Sequence, residues 1–193
     1  MNKIIKKNYE NYSGYLNYNS NNPDFVNTYG EITHNGFKKG LKGIYTKNKI
    51  FYDLGSGIGK LVMYSGLEKN FKKSIGVELN HIRHNMAKDV LKNIKKQLKG
   101  GDKKKASNIE FVNDSLFNKN YFNGDVYFIS NLCFTDKMNK KLAYYFKKYN
   151  TNKGTIVLCS NKLPMRKNVR SVSKVDCPMT WDKNSSIYKY ILN

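Results

Sequence analysis

The chain of 193 residues has little proline (3), a single tryptophan and only three cysteines. Acids are scarcer still in proportion, 14 against 35 lysines and arginines, for a formal charge of +21. No uninterrupted run of ~18 apolar residues occurs, so no helix is expected to span a membrane. The amino terminus is rich in Lys and Asn and lacks the apolar core of a signal peptide. Cys133, Cys159 and Cys177 are odd in number and far apart. They offer no zinc-type pairing and read as reduced thiols of an intracellular protein. Coding DNA rich in A and T would enrich Lys, Asn, Ile and Tyr, but it would not by itself keep acids so few. The balance therefore favours a polyanionic partner, nucleic acid ahead of a membrane surface.

What is present centres on Lys49–Lys60. Ile50 to Leu54 reads as a short buried strand, followed by Gly55, Gly57 and Gly59 and then by a helical pattern through Leu61, Val62, Tyr64 and Leu67. A strand, a glycine turn and a helix start present backbone N–H groups to an open crevice, where a Cβ would block the approach of a ligand. Ser74–Glu78 is a second short strand ending in an acid about 20 residues after the loop, a position suited to ribose hydroxyls. A nicotinamide cofactor would satisfy the same geometry. Asp53 tips the balance, because a carboxylate repels a pyrophosphate and attracts the ammonium and sulfonium of S-adenosylmethionine.

The rest of the chain reads as alternating strands and helices. Residues 1–24 form a basic lead segment, with Tyr9, Tyr12, Tyr15 and Tyr18 expected at the surface, and 25–193 the catalytic domain. The glycines at 36, 40 and 43 suggest a loose link into the first strand. Asn80 caps a long helix whose buried stripe is Ile82, Met86, Val90 or Leu91, Ile94 and Leu98, stopped by Gly100-Gly101. Lys92 to Lys105, on its outer face and in the following loop, is the densest basic patch. Further strands are expected over 108–112, 125–130 and 155–159, a helix over 136–148, and an antiparallel pair within 172–192. This is an α/β fold, a mostly parallel Rossmann-like sheet with a terminal antiparallel hairpin and helices on both faces. Ligands of such sheets bind at the carboxyl ends of the strands, here marked by Asp53, Glu78, Asp114 and Asn131.

Asp-Leu-Gly-Ser-Gly-Ile-Gly followed by Gly-Val-Glu resembles the first two motifs of class I methyltransferases. With Tyr29-Gly-Glu-Ile-Thr33, Asn131-Leu-Cys-Phe134, and Trp181 seven residues before Tyr188, the order is similar to the non-SET histone lysine methyltransferases of the disruptor-of-telomeric-silencing type. That resemblance implies transfer of methyl groups from S-adenosylmethionine, leaving S-adenosylhomocysteine, to a lysine in the folded core of histone H3 within nucleosomes. It implies that Tyr29, Glu31 and Thr33 cover the methionine part of the cofactor. Asp53, Gly55, Gly57, Gly59, Lys60, Glu78, Asp114, Ser115 and Asn131 would complete its site. Asn131, Trp181, Tyr188 and Phe25 would line the lysine channel. Lys60 stands where the family often has glutamine, and Ser115 where some members place an aromatic on adenine, a role that Leu116 or Phe117 would then take. No metal is implied. The expected setting is nuclear or chromatin-associated, as a monomer touching DNA through Lys92–Lys105 and the amino-terminal lysines. The alternatives are a methyltransferase for another basic protein or nucleic acid, and, in a different class, a catalytically dead basic nucleic-acid-binding module. A nucleic-acid amino methyltransferase would normally carry prolines after its fourth strand, which this chain lacks.

Overall fold

The computed structural model describes residues 2–16, 28–165 and 168–193. Its seven strands are β1 (Ile50–Leu54), β2 (Lys73–Glu78), β3 (Ile109–Asn113), β4 (Val126–Ile129), β5 (Ile156–Cys159), β6 (Val169–Asp176) and β7 (Ser186–Leu192). They form one sheet in the order β3-β2-β1-β4-β5-β7-β6. The pairings β1–β2, β1–β4, β2–β3 and β4–β5 are parallel, and β7 runs antiparallel to both β5 and β6. The order reverses between β1 and β4. That switch point opens a crevice at the strands' carboxyl ends.

The helices are α1 (Asn2–Tyr9), α2 (His34–Gly40), α3 (Lys60–Glu68), α4 (His81–Gln97), α5 (Gly100–Ser107) and α6 (Asp136–Tyr149). Strand alternation assigns them to faces. Tyr52 and Leu54 of β1 pack in one cluster with Met138, Leu142 and Phe146 of α6. Phe51 points the other way, into a cluster with Phe37 of α2 and Leu61 of α3. α1, α3 and α4 meet in a third cluster around Ile5, Val62 and Ile94.

The parallel sheet, the terminal hairpin and the Asn80 cap follow the expectation, with Asn80 Oδ1 accepting from Ile82 N–H at 2.9 Å and Arg83 N–H at 3.1 Å. Four local differences have physical causes. Residues 34–40 form a helix, because Thr33 caps it and Phe37 is fully buried. Gly36 there serves close packing, since a Cβ would stand 2.5 Å from the Pro178 carbonyl. Lys103–Lys105 lie on α5, which Gly100 opens at φ 52°, and not in a loop. The buried stripe of α4 holds as expected at Val90, Leu91, Ile94 and Leu98, but its first turns are rotated by one position, with Arg83 and Ala87 inside and Ile82 and Met86 only half-buried. The lead segment carries α1, whose Ile5 and Tyr9, one turn apart, are buried. Tyr9 is thus core, Tyr15 is exposed, and Tyr18 lies outside the described residues.

Candidate functional site: an acid-lined cavity

A cavity of about 350 Å³ opens at the carboxyl ends of β1, β2 and β4. Its floor is the glycine loop. Gly55, Gly57 and Gly59 have φ of 92°, 54° and 82°, the left-handed region that side chains disfavour. The Gly55 and Ser56 N–H groups donate to the Val77 carbonyl at 2.8 and 3.0 Å, which pins the loop to β2. A Cβ on Gly55 would meet nothing within 4 Å, so its absence leaves open space on the cavity side. Ser56 Oγ, also in the wall, is buried without a hydrogen-bond partner.

Three acids line the cavity: Glu31, Asp53 and Glu78. Asp53 is buried, and among the described residues no donor bonds to its carboxylate. Burial, then the charges of Glu78 and Glu31, push its pKa well above the ordinary value. Glu78 accepts from Gly57 N–H at 2.7 Å and Asn80 N–H at 2.8 Å. Burial still raises its pKa against those bonds and the nearby Arg83. Lys60 pairs with Glu31 and Arg83 stands near Glu78, so among the described residues Asp53 is the one acid of the three without a basic partner.

The segment Tyr29–Thr33 forms the roof and is held from two sides. On the carboxyl-terminal side Ile32 bridges Met179, Thr180 N–H donates to the Glu31 carbonyl at 2.9 Å, and Thr33 Oγ1 donates to the Pro178 carbonyl at 2.7 Å. A Cβ on Gly30 would stand 2.4 Å from the Trp181 ring, so that ring lies flush on the backbone. On the other side Tyr29 OH donates to Glu31, whose second oxygen pairs with Lys60 Nζ at 2.8 Å. Lys60 Nζ also stands 5.4 Å from the Tyr9 ring centre, and Tyr9 OH donates to the Ile58 carbonyl at 2.9 Å, within the glycine loop. Arg83 covers Tyr29 at 5.1 Å. Burial and Glu31 push the Tyr29 hydroxyl pKa upward, so it stays a donor.

The expected residues divide accordingly. Tyr29, Glu31, Asp53, Gly55, Gly57, Lys60, Glu78, Ser115 and Trp181 line the cavity. Thr33 stands behind the roof as the cap of α2, and Gly59 opens α3 with its Cα turned towards Phe111 and Ala87. Asp114 is occupied within its own loop by Tyr121 OH at 2.7 Å, Asn118 Nδ2 at 2.9 Å and Ser115 N–H at 2.7 Å. Burial works to raise its pKa, but those bonds outweigh it and the net shift is downward. Asn131 is fully buried and satisfied by Asn139 Oδ1 at 2.8 Å, the Asn161 carbonyl at 3.1 Å and Asn161 N–H at 2.8 Å. Tyr188 pairs with Cys159 and Lys174 within the sheet, away from the cavity wall. Phe25 lies outside the described residues.

The wall near β4 consists of Phe128, Ser130, Leu132, Cys133 and Phe134, with Leu116 adjoining. Strand alternation carries a signal for two of them. With Tyr127 and Ile129 packed towards α6, Phe128 and Ser130 must face the other way. Arg83 had no local signal, because its Nε bonds the Gly14 carbonyl at 2.9 Å, 69 positions away.

Set against known proteins, the family described as "Histone methylation protein DOT1" matches residues 7–187. A Caenorhabditis elegans histone-lysine N-methyltransferase, H3 lysine-79 specific, is 45% identical over 47 residues, 24% of this chain and 5% of that protein. The chain therefore spans only a small fraction of that relative. Among solved structures, an RNA methyltransferase from Salinibacter ruber in complex with S-adenosyl-L-homocysteine has a TM-score of 0.59 at 19% identity, covering 80% of this chain and 88% of its own. TrmN from Thermus thermophilus has a TM-score of 0.56 at 13% identity, covering 81% and 47%. Both share the class I methyltransferase fold. With that fold and a match running through nearly its whole length, the chain belongs to the DOT1 family of histone methylation proteins.

Proposed function

We propose that this chain transfers methyl groups from S-adenosylmethionine to a lysine of histone H3 in nucleosomes, leaving S-adenosylhomocysteine. The candidate position is lysine-79, for which the nematode relative is specific. The observation that carries the reading is the uneven wall of the cavity. Its acids, Glu31, Asp53 and Glu78, lie on the roof, β1 and β2, whereas the β4 wall and Trp181 contribute none.

The cavity fits the cofactor. Asp53, without a donor of its own, suits an ammonium group. Open space at Gly55 admits the ligand backbone, and the unpartnered Ser56 Oγ offers a hydrogen bond. Glu78 holds a position suited to ribose hydroxyls, and Leu116 offers an apolar surface to a base. When bound, the cofactor supplies a methyl carbon made electrophilic by its sulfonium, so no side chain must act as nucleophile.

The protein's remaining task is to present a neutral amine in line and without water. With a reference pKa of ~10.4, deprotonating a lysine at pH 7 costs roughly 4–5 kcal/mol. A wall of Leu132, Phe134 and Trp181 disfavours the ammonium and lowers that cost, and the absence of acids on this side of the lining avoids raising it again.

A polyanionic substrate agrees with the face opposite α6. Lys88, Lys92, Lys96, Lys99, Lys103 and Lys104 are exposed on or beside α4 and α5, as are Lys3, Lys6 and Lys7 on α1. Gln97 Nε2 donates to Asn8 Oδ1 at 3.0 Å, so the two sets adjoin on one surface suited to DNA phosphates. This supports a chromatin-associated, nuclear setting.

The test offers labelled cofactor with nucleosomes, free histones or bare nucleic acid, and locates the label by mass spectrometry. Label on nucleosomal H3 is expected. Label confined to nucleic acid, or no transfer to any of the three, would overturn the assignment.

A further inference from the structure

The opposite face of the sheet carries a second basic surface that the proposed reaction does not use. α6 contains Lys137, Lys140, Lys141, Lys147 and Lys148 against a single acid, Asp136. Among the described residues, no carboxylate stands within ion-pair distance of Lys137, Lys140, Lys147 or Lys148.

The α4–α5 face also has a lysine-flanked groove, lined by Leu91, Ile109 and Phe111, but it lacks an exposed aromatic ring. No large apolar side chain is exposed on those two helices, whereas Tyr144 on α6 is 50% exposed. Lys148 Nζ lies 5.3 Å from the ring centre of Tyr144 and 5.4 Å from that of Tyr149, so two rings flank one cation. The Tyr144 and Tyr149 rings meet edge to face at 86°, and Tyr145 packs against both. The tyrosines therefore hold one another in place. Beside them a groove of about 390 Å³ runs between α6 and the stretch around Met165. Lys140 and Lys147 stand on its wall, and Phe146, Pro164 and Met165 give it an apolar lining.

We propose that this face of α6 binds single-stranded nucleic acid, bases stacking on Tyr144 and entering the groove while Lys140, Lys147 and Lys148 hold the phosphates. Charge makes the occupant an anion, and the aromatic and apolar parts choose among anions. A duplex presents phosphates and sugars on its outside and has nothing to offer an exposed tyrosine or an apolar groove. An unpaired strand supplies a flat ring for the aromatic and a phosphate for each lysine.

The experiment is fluorescence anisotropy on the full chain, with a labelled oligothymidylate and a duplex of the same length. Tyr144→Ala is expected to weaken single-strand binding about tenfold and leave duplex binding unchanged, with Tyr144→Phe close to wild type. Lys147→Glu, at an exposed position, should weaken single-strand binding and flatten its salt dependence by about one unit of slope. Wild-type single-strand affinity in Tyr144→Ala would overturn the proposal. So would loss of single-strand binding through Lys92→Glu and Lys96→Glu alone. Polyglutamate displacing the strand as well as unlabelled oligothymidylate would assign the face to an acidic protein and refute the stacking role. None of these readouts requires methyl transfer, so they remain decisive if the histone assignment fails.

Discussion

Asp53 works against the fold, being buried among like charges. A carboxylate buried beside Glu78 and Glu31 is easier to protonate than one in water. The raised pKa means that its contribution to stability without cofactor is greatest below the unfolded value and is lost as pH rises through the folded one. In the role proposed for Asp53, cofactor binding has the opposite sign, because a cation needs the charged form. Affinity should therefore fall as pH drops through the raised Asp53 pKa, by about tenfold per pH unit once below it. Asp53→Asn should bind weakly at every pH, yet melt higher than wild type without cofactor, by about 2–4 °C for each kcal/mol of relieved repulsion. Fluorescence of Trp181, the single tryptophan and part of the cavity wall, reports the titration. A pH-independent affinity in the wild-type protein would refute the role of Asp53. Its place on the cavity wall was legible in the sequence because the strand and glycine turn that set it are its immediate neighbours along the chain. That Asn131 and Asp114 stand off the cavity wall was not, although each follows a strand end. Whether a polar side chain there meets a ligand or a neighbouring loop depends on partners such as Asn161 and Tyr121, which strand position does not reveal.

At the scale of elements, α1 is a buttress of the glycine loop. Its Tyr9 donates a buried hydrogen bond to the Ile58 carbonyl and offers its ring to Lys60, which in turn holds Glu31. Tyr9→Phe removes one buried hydrogen bond, about 1 kcal/mol. It should weaken cofactor affinity severalfold, seen in the same fluorescence titration, with the KM for the acceptor unchanged. Cofactor affinity equal to wild type would show that α1 merely fills space. The parallel strands and α6 were legible because their apolar periodicity is local. α1 was missed because a short helix buries only one stripe, here Ile5 and Tyr9, amid lysine and asparagine. α2 was missed because Gly36, read as looseness, permits the backbone contact with Pro178.

For the whole molecule, charge is divided between an acid-lined interior and basic exteriors. Reversing Lys92, Lys96 and Lys99 to Glu should raise the KM for nucleosomes and flatten its dependence on salt, by about one unit of logarithmic slope per lost phosphate contact, with cofactor affinity unaffected. An unchanged salt slope would make these lysines simple surface. The arrangement also dictates when a working site can exist. Residues 31 and 180 bond across a separation of 149, and β7, close to the carboxyl end, sits between β5 and β6, so β6 cannot join the sheet before it. A growing polypeptide can assemble the β1–β4 core early, since those contacts are nearer in the chain, but the roof has nothing to clasp until residues 178–180 have been made. Synthesis interrupted before that point yields a chain that has the glycine loop but nothing from the carboxyl-terminal side to hold the Tyr29–Thr33 segment over it.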